Sequence, residues 1–142
     1  MGNYLFLVFL VPLIMDVVGT VTGQKKEYWS SKYKKYNEAV PFIDIILGIN
    51  PLLFILVCLV IWIPITYWLT HNLPHPLNLW ASLALFAAHA TNSTNWLRKT
   101  QWNLGIFTGK DKFSMALALI PIAIYLLFIG YIATWGLLQY FS

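Results

Sequence analysis

Residues 51–70 read PLLFILVCLVIWIPITYWLT, a stretch without a single charged side chain. Crossing about 30 Å of hydrocarbon takes roughly 20 apolar residues in a helix. This stretch lies inside a longer one, because the 53 residues from Ile45 to Leu97 contain no Lys, Arg, Asp or Glu. A water-soluble domain could not cover its surface in this way. The sequence therefore predicts an integral membrane protein.

The composition of the whole chain agrees with this class. Of its 142 residues 59% are hydrophobic and 10% are charged, against about 25% charged residues in ordinary soluble domains. With several spans the chain has no room for a separate soluble domain, so residues 1–142 form a single membrane domain. Cys58 is the only cysteine, which excludes an internal disulfide, a CxxC redox pair and a cysteine-built metal site.

Apolar runs and their breakers predict an all-α, multi-pass bundle of four transmembrane helices, at about residues 4–23, 41–70, 77–97 and 113–140. The second is too long, since thirty residues at 1.5 Å each reach about 45 Å. Asn50, Pro51 and Pro64 interrupt it, and proline kinks helices. We expect either a steeply tilted, kinked helix or an in-plane segment over 41–49 leading into a span from Pro51.

Basic residues predict the orientation. All nine lie in the first and third loops: Lys25, Lys26, Lys32, Lys34, Lys35, Arg98, Lys99, Lys110 and Lys112. Short basic loops stay cytoplasmic, so loops 24–40 and 98–112 face the cytoplasm and both termini and the loop 71–78 face the other side. The same charges predict contact with anionic lipid headgroups rather than nucleic acid. In the basic loop 24–40, interleaved aromatic residues suit a segment lying at the membrane surface.

A few polar residues lie at bilayer depth, where an ionisable group costs roughly 2.5 to 3.5 kcal/mol. Asp16 is roughly 10 Å from the cytoplasmic end of the first helix, and His89 is roughly 12 Å from that of the third. The two side chains lie at similar depths, and further acids enter the same leaflet from the start of the second helix. We expect all of these groups to converge inside the bundle near its cytoplasmic end. The candidate ligand-binding or proton-relay residues are Asp16, Glu38, Asp44, His89, Asn92 and Asn95.

This cluster has several possible roles. It could relay protons, hold a hard or borderline metal ion, or bind the polar head of a lipid or amine. In the structural alternative, Asp16 and the amides only hydrogen-bond the helices together, with Gly19 allowing close approach. His71 and His75 in the opposite loop are weaker metal-ligand candidates, because prolines interrupt their spacing and no third ligand is near. No cofactor is predicted.

Two short resemblances concern the same residues. Residues 15–20, MDVVGT, resemble the first helix of small multidrug resistance transporters, in which an acid before V-x-G-T binds substrate and protons. The order of Pro12, Asp16, Glu38, Pro41 and His89 resembles the four-helix family of sterol isomerases and sigma-type receptors. The second resemblance implies a lipid or amine pocket with Asp16 as counter-ion. Neither covers enough of the chain to assign a family.

The sequence favours a non-catalytic function, since it has no HExxH, Walker, GxSxG or Cys/His nucleophile motif. Its small size favours a subunit of a larger respiratory, redox or transport complex, with other membrane proteins as partners. One alternative is a stand-alone lipid- or amine-binding protein or lipid-modifying enzyme that uses Asp16, Glu38 and His89. Another is an oligomeric proton-coupled carrier of small molecules.

Overall fold

The computed structural model describes residues 4–33, 36, 43–106 and 110–142. Within these ranges all regular structure is helical, which confirms the predicted all-α class. The helices are α1 (Leu5–Thr22), α2 (Lys26–Ser30), α3 (Ile43–Ile49), α4 (Pro51–Asn72), α5 (Leu77–Asn103) and α6 (Lys112–Phe141). Four of them are long, and the short α2 and α3 lie between α1 and α4 along the chain.

The segment predicted as a long second helix is broken at Asn50, whose backbone is extended with φ −159° and ψ 124°. Its side-chain Oδ1 accepts hydrogen bonds from the backbone N–H groups of Leu52 at 2.8 Å and Leu53 at 3.1 Å. This is an N-cap, and Pro51 suits the first helical position because that position needs no N–H donor. The structure therefore has two helices here, α3 and α4, with the break before Pro51 that the second of the two alternatives expects; the in-plane position of the first segment stays a prediction.

Helix α5 continues beyond the predicted end at residue 97 and stops at Asn103. Gly105 has a φ of 74°, a conformation that glycine adopts without steric cost. It lets Gly105 N–H donate to the carbonyl of Trp102, and Ile106 N–H donate to that of Gln101, both at 3.0 Å. This is a Schellman motif, which satisfies the last carbonyls of the helix.

Helix α1 packs against α4, α5 and α6 and so lies in the middle of the bundle. It runs parallel to α5, as contacts at both ends show. At its start, Ser82 Oγ donates to the carbonyl of Leu5 at 2.7 Å, and past its end Asn103 Nδ2 donates to that of Gln24 at 2.7 Å. The two helices thus lie side by side over almost the whole of α1.

Helices α4 and α6 run antiparallel to α1. The ring centroids of Phe6 and Tyr67, near the start of α1 and the end of α4, are 5.4 Å apart. Those of Tyr4 and Trp135, near the end of α6, are 5.6 Å apart. A Cβ on Gly136 of α6 would lie 3.0 Å from the carbonyl oxygen of Tyr4. The four long helices therefore alternate in direction along the chain.

Three helices are long and apolar enough to cross a membrane: α1, α4 and α6. Most of the surface of α4 and α6 is exposed and apolar, with Leu52 and Leu127 exposed to 70% and 75%. Such surface fits lipid. Helix α5, predicted as the third span, is 27 residues long but is not among the three.

Buried apolar side chains form two clusters at opposite ends of α1. One joins the end of α1 to α2, α3 and α4, and contains Val17, Val21, Tyr28, Leu47, Phe54 and Cys58. The other joins the start of α1 to α6, and contains Leu5, Val8 and Ala133. Asp16 directly precedes the first cluster along α1, at the boundary with α5.

Candidate functional site

Asp16 and His89 form a direct pair between α1 and α5. His89 Nδ1 and Asp16 Oδ2 share a hydrogen bond of 2.7 Å, and the side chains are 21% and 13% exposed. This distance is in the range of charge-assisted hydrogen bonds. Asn92 Nδ2 lies 3.5 Å from the same oxygen, a long and weak contact. We call these three residues the Asp16 cluster.

The close approach of α1 and α5 makes this pair possible. A Cβ on Gly19 would lie 2.8 Å from Cβ of Trp96, and a Cβ on Gly23 would lie 2.5 Å from Cε3 of the same indole. No larger side chain fits at either position without a shift. The expectation that Gly19 permits close approach is confirmed, and the short Asp16 side chain reaches His89 across the resulting narrow gap.

The chemistry of the pair is the sharing of one proton. Each group gives the other a hydrogen-bond partner at bilayer depth, where a polar side chain without a partner is costly. The backbone also contributes, since Thr20 Oγ1 donates to the carbonyl of Asp16 at 2.8 Å. Paired carboxyl and imidazole groups of this kind occur along the proton relays of membrane pumps and transporters.

The pair lies beside an exposed polar face of α5. Thr91, Asn92 and Asn95 are all exposed on this face, at the helical spacing that makes them neighbours. Between the described residues no hydrogen bond joins Asn95 to Asp16 or His89. Asn95 lies about 9 Å along α5 from His89, and it continues the exposed polar face toward the end of the helix.

Of the other two predicted acids the structure describes one, Asp44, and it does not hydrogen-bond to the pair. Asp44 is half-buried in the first turn of α3, where its Oδ1 accepts from the backbone N–H of Ile45 at 2.7 Å. No hydrogen bond within the described ranges links it to Asp16 or His89. Glu38 lies outside the described residues, so its predicted place in the site stays a prediction.

The two histidines of the opposite loop have separate partners. His71 stacks on Tyr67 with ring centroids 3.9 Å apart, and its Nδ1 is 3.1 Å from the carbonyl of Tyr67. His75 Nδ1 is 3.0 Å from the hydroxyl of Tyr140, which donates to Asn78 Oδ1 at 3.1 Å. In the part of the chain that the structure describes, no three His, Cys, Asp or Glu side chains group as metal ligands.

Sequence reasoning missed two polar features of α5. The hydroxyls of Ser93 and Tyr125 are 2.6 Å apart and buried, and they join α5 to α6. Tyr125 could have been noticed as a hydroxyl in the middle of an apolar helix. Gln101 is 3% exposed, and its side-chain amide has no hydrogen-bond partner among the described residues. Nothing in the sequence distinguishes it from a solvated surface glutamine.

Comparison with protein-family models, curated proteins and solved structures finds no match for this chain. Its function is therefore inferred from its own residues. The features that carry the inference are the Asp16 cluster and the exposed polar face of α5 beside it.

Proposed function

We propose that this protein is a small, non-catalytic, four-helix subunit of a membrane complex, which packs through α5 against another membrane protein. One observation carries the proposal. The side chains of Thr91 and Asn92 are exposed on α5 within one turn of His89, and that of Asn95 is exposed one turn further on; at bilayer depth lipid offers these groups no hydrogen bonds.

The position of α5 beside α1 supports a fourth span. The two helices run parallel from the Ser82–Leu5 contact to the Asn103–Gln24 contact. The uncharged part of α5, from Leu77 to Leu97, is about 30 Å long at 1.5 Å per residue, close to the thickness of the hydrocarbon core, and Arg98 and Lys99 follow it at headgroup level. A helix that accompanies a spanning helix over this length crosses with it. The alternating direction of α1, α4, α5 and α6 is also what four consecutive spans require.

The location of the basic residues supports the proposed orientation. All basic side chains in the described ranges follow the end of α1, lie near the end of α5, or come just before or at the start of α6. They are Lys25, Lys26, Lys32, Arg98, Lys99, Lys110 and Lys112. Because α1 and α5 are parallel and α6 is antiparallel, these places share one end of the bundle. By the positive-inside rule this is the cytoplasmic end, with both termini opposite.

The exposed face of α5 is better suited to protein than to lipid. An amide without a hydrogen-bond partner in hydrocarbon costs several kcal/mol. The same face also presents the exposed small side chains of Ala84, Ala87 and Ala88, and interfaces between membrane helices are enriched in small and polar residues. By contrast, the exposed surface of α6 is mostly apolar.

Native mass spectrometry of the protein extracted from its own membrane in gentle detergent tests the proposal. We expect a distinct membrane protein bound at a fixed ratio. The double variant Asn92→Leu, Asn95→Leu should lose this partner while it still folds. The control Leu127→Ala, on the exposed face of α6, should keep it. Recovery of the wild-type protein only as a lone protomer or a homodimer would overturn the proposal.

A second candidate function is a proton-coupled carrier, and the Asp16–His89 pair favours it. A carboxylate and an imidazole 2.7 Å apart and only partly buried are groups of the kind that relay protons in transporters. The internal pH of liposomes containing the protein should then change when a transported small molecule is added outside, and Asp16→Asn should abolish this change. Silent liposomes dismiss this candidate. The amine-binding alternative is weaker, because His89 already occupies the carboxylate that would be its counter-ion.

A further inference from the structure

A cavity of about 470 Å³ lies where α1 turns into α2, beside the last turn of α5. The chain from Gly23 to Glu27 forms one wall, and Lys99, Trp102 and Asn103 form the other. Its volume lies in the range of small-molecule sites, roughly 300 to 1,000 Å³. It is separate from the Asp16 cluster, which lies about two turns deeper along α1.

Hydrogen bonds hold the walls of the cavity together. Asn103 Nδ2 donates to the carbonyls of Gln24 at 2.7 Å and Thr22 at 3.3 Å. The hydroxyls of Thr22 and Thr100 are 2.9 Å apart. Gln24 itself is 1% exposed, and its Nε2 donates to the carbonyl of Thr20 at 2.8 Å. The cavity is thus framed by ordered backbone and amide groups rather than by side chains alone.

The charges that line the cavity suit an anion. Lys25, Lys26 and Lys99 contribute three ammonium groups, against the one carboxylate of Glu27. Lys99 Nζ lies 3.8 Å from the centroid of the Trp96 ring, a cation–π contact that positions it. The end of a helix carries partial negative charge, but Asn103 donates to two of the carbonyls there. The net charge of the lining side chains is positive.

The cavity also lies at headgroup level if α1 and α5 span the membrane. It begins at Gly23, where the apolar run of α1 ends. Trp102 on its wall is 55% exposed, and tryptophan is enriched at the interface between hydrocarbon and water. An anion held at this level is most readily supplied by the membrane itself.

From the cavity, its three lysines and its position we propose that it binds the phosphate of an anionic phospholipid headgroup. The inference rests on the proposed membrane placement, but not on the proposed partner protein. The ammonium groups pair with the phosphate oxygens, and the exposed indole packs against the glycerol and upper acyl carbons. This is a defined lipid site, in addition to general attraction between basic loops and the membrane.

The test uses the full chain in nanodiscs of phosphatidylcholine with phosphatidylglycerol, followed by native mass spectrometry of retained lipid. We expect wild-type protein to retain one phosphatidylglycerol. The triple variant Lys25→Gln, Lys26→Gln, Lys99→Gln should retain at least tenfold less. The control Lys32→Gln, Lys110→Gln, Lys112→Gln removes the same charge outside the cavity and should retain it fully. The single variant Lys99→Gln should show a smaller loss.

Results of two kinds would overturn the inference. One is equal retention by the cavity variant and the control, or no retention by the wild type. The other is displacement of the lipid by millimolar inorganic phosphate, which would make free phosphate the ligand. Lipid retention is measured on the isolated protein, so it does not depend on a partner protein. A failure of the lipid site and a failure of the proposed partner are therefore separate results.

Discussion

Asp16 and His89 each supply the hydrogen-bond partner that the other side chain needs at bilayer depth. Either group alone, at bilayer depth, would be an uncompensated polar or charged side chain. Together, at 2.7 Å, they form a short hydrogen bond in surroundings of low dielectric. The loss of one partner is therefore more costly than the loss of both, because it strands the other.

A double-mutant cycle on this pair tests that statement. Asp16→Asn and His89→Gln should each lower the free energy of unfolding, and the double variant should be more stable than their sum predicts. We expect a coupling of about 1 to 2 kcal/mol, as for residues in direct contact. It is measured by detergent-induced unfolding in mixed micelles. Asp16→Asn with Asn95→Ala is the control and should be additive, whereas additivity of the His89 pair would contradict the account.

Tyr28 in α2 predicts a pH dependence outside the membrane. Its hydroxyl donates to the carbonyl of Leu47 at 2.8 Å. Burial, with a further contribution from Tyr33, raises its pKa from 10.0 to about 12. Below pH 10 the phenol is neutral in both states. Between pH 10 and about pH 12 the unfolded chain loses a proton that the folded chain keeps. The free energy of unfolding therefore falls as pH rises, by at most about 1.4 kcal/mol per pH unit.

An ultraviolet titration of tyrosinate in wild type and in Tyr28→Phe checks this value. The difference curve should show one phenol that ionises near pH 12. Over the same range, the wild type should lose more stability than Tyr28→Phe. A difference curve centred at pH 10 would show that the Tyr28 phenol is not buried in the folded protein.

The level of the Asp16–His89 pair could be predicted by counting residues from the helix ends. Its contact could not, because helix rotation depends on which side chains pack between the helices. Here Gly19 and Trp96 set that rotation, and the sequence shows them only as one glycine and one of seven tryptophans. The role of Asp44 is equally hard to read from sequence, since an acid in the first turn of a helix also accepts from the N–H groups there, as Asp44 does from Ile45.

The contact between α1 and α5 depends on the absence of side chains at two glycines. Gly19→Ala would place a Cβ 2.8 Å from that of Trp96, so the helices must move apart. We expect a loss of about 1 to 3 kcal/mol in unfolding free energy, together with weaker coupling between Asp16 and His89. Gly130→Ala in α6 is the control, since nothing lies within 4 Å of its Cβ. Equal effects of the two substitutions would contradict this packing.

Hydropathy predicts apolar helices well and polar ones poorly. Helices α1, α4 and α6 are recognisable from composition alone. The break before α4 is also readable, because Asn followed by Pro forms a cap. The end of α5 cannot be read from the sequence, because the last turns, Arg98 to Asn103, are polar. Their side chains contact Thr22 and Gln24 instead of lipid. The polar side chains that make contacts between helices also lower the mean hydropathy of the helix that carries them, so a hydropathy search passes over it.

The complete bundle has one polar side and one apolar side. Helix α1 lies at the centre, α5 carries the exposed polar face, and α4 and α6 carry most of the exposed apolar surface. The basic residues within the described ranges lie at one end. This distribution is expected of a protein that meets lipid on one side and protein on the other.

Labelling of single cysteines from either side of the membrane tests the number of spans. In a Cys58→Ser background, cysteines at 32 and 110 should react from the cytoplasmic side, and cysteines at 72 and 142 from the other. If α5 did not cross, positions 110 and 142 would exchange sides while 32 and 72 kept theirs. That pattern would contradict the fourth span.

The most direct test of the proposed role is a photo-crosslinking amino acid at position 95, on the exposed polar face of α5, in the native membrane. The account predicts a cross-link to one distinct membrane protein. The same probe at position 127, where the native Leu127 on α6 is 75% exposed, should capture lipid only. Capture of lipid alone at position 95 would contradict the claim that this face is covered by a partner.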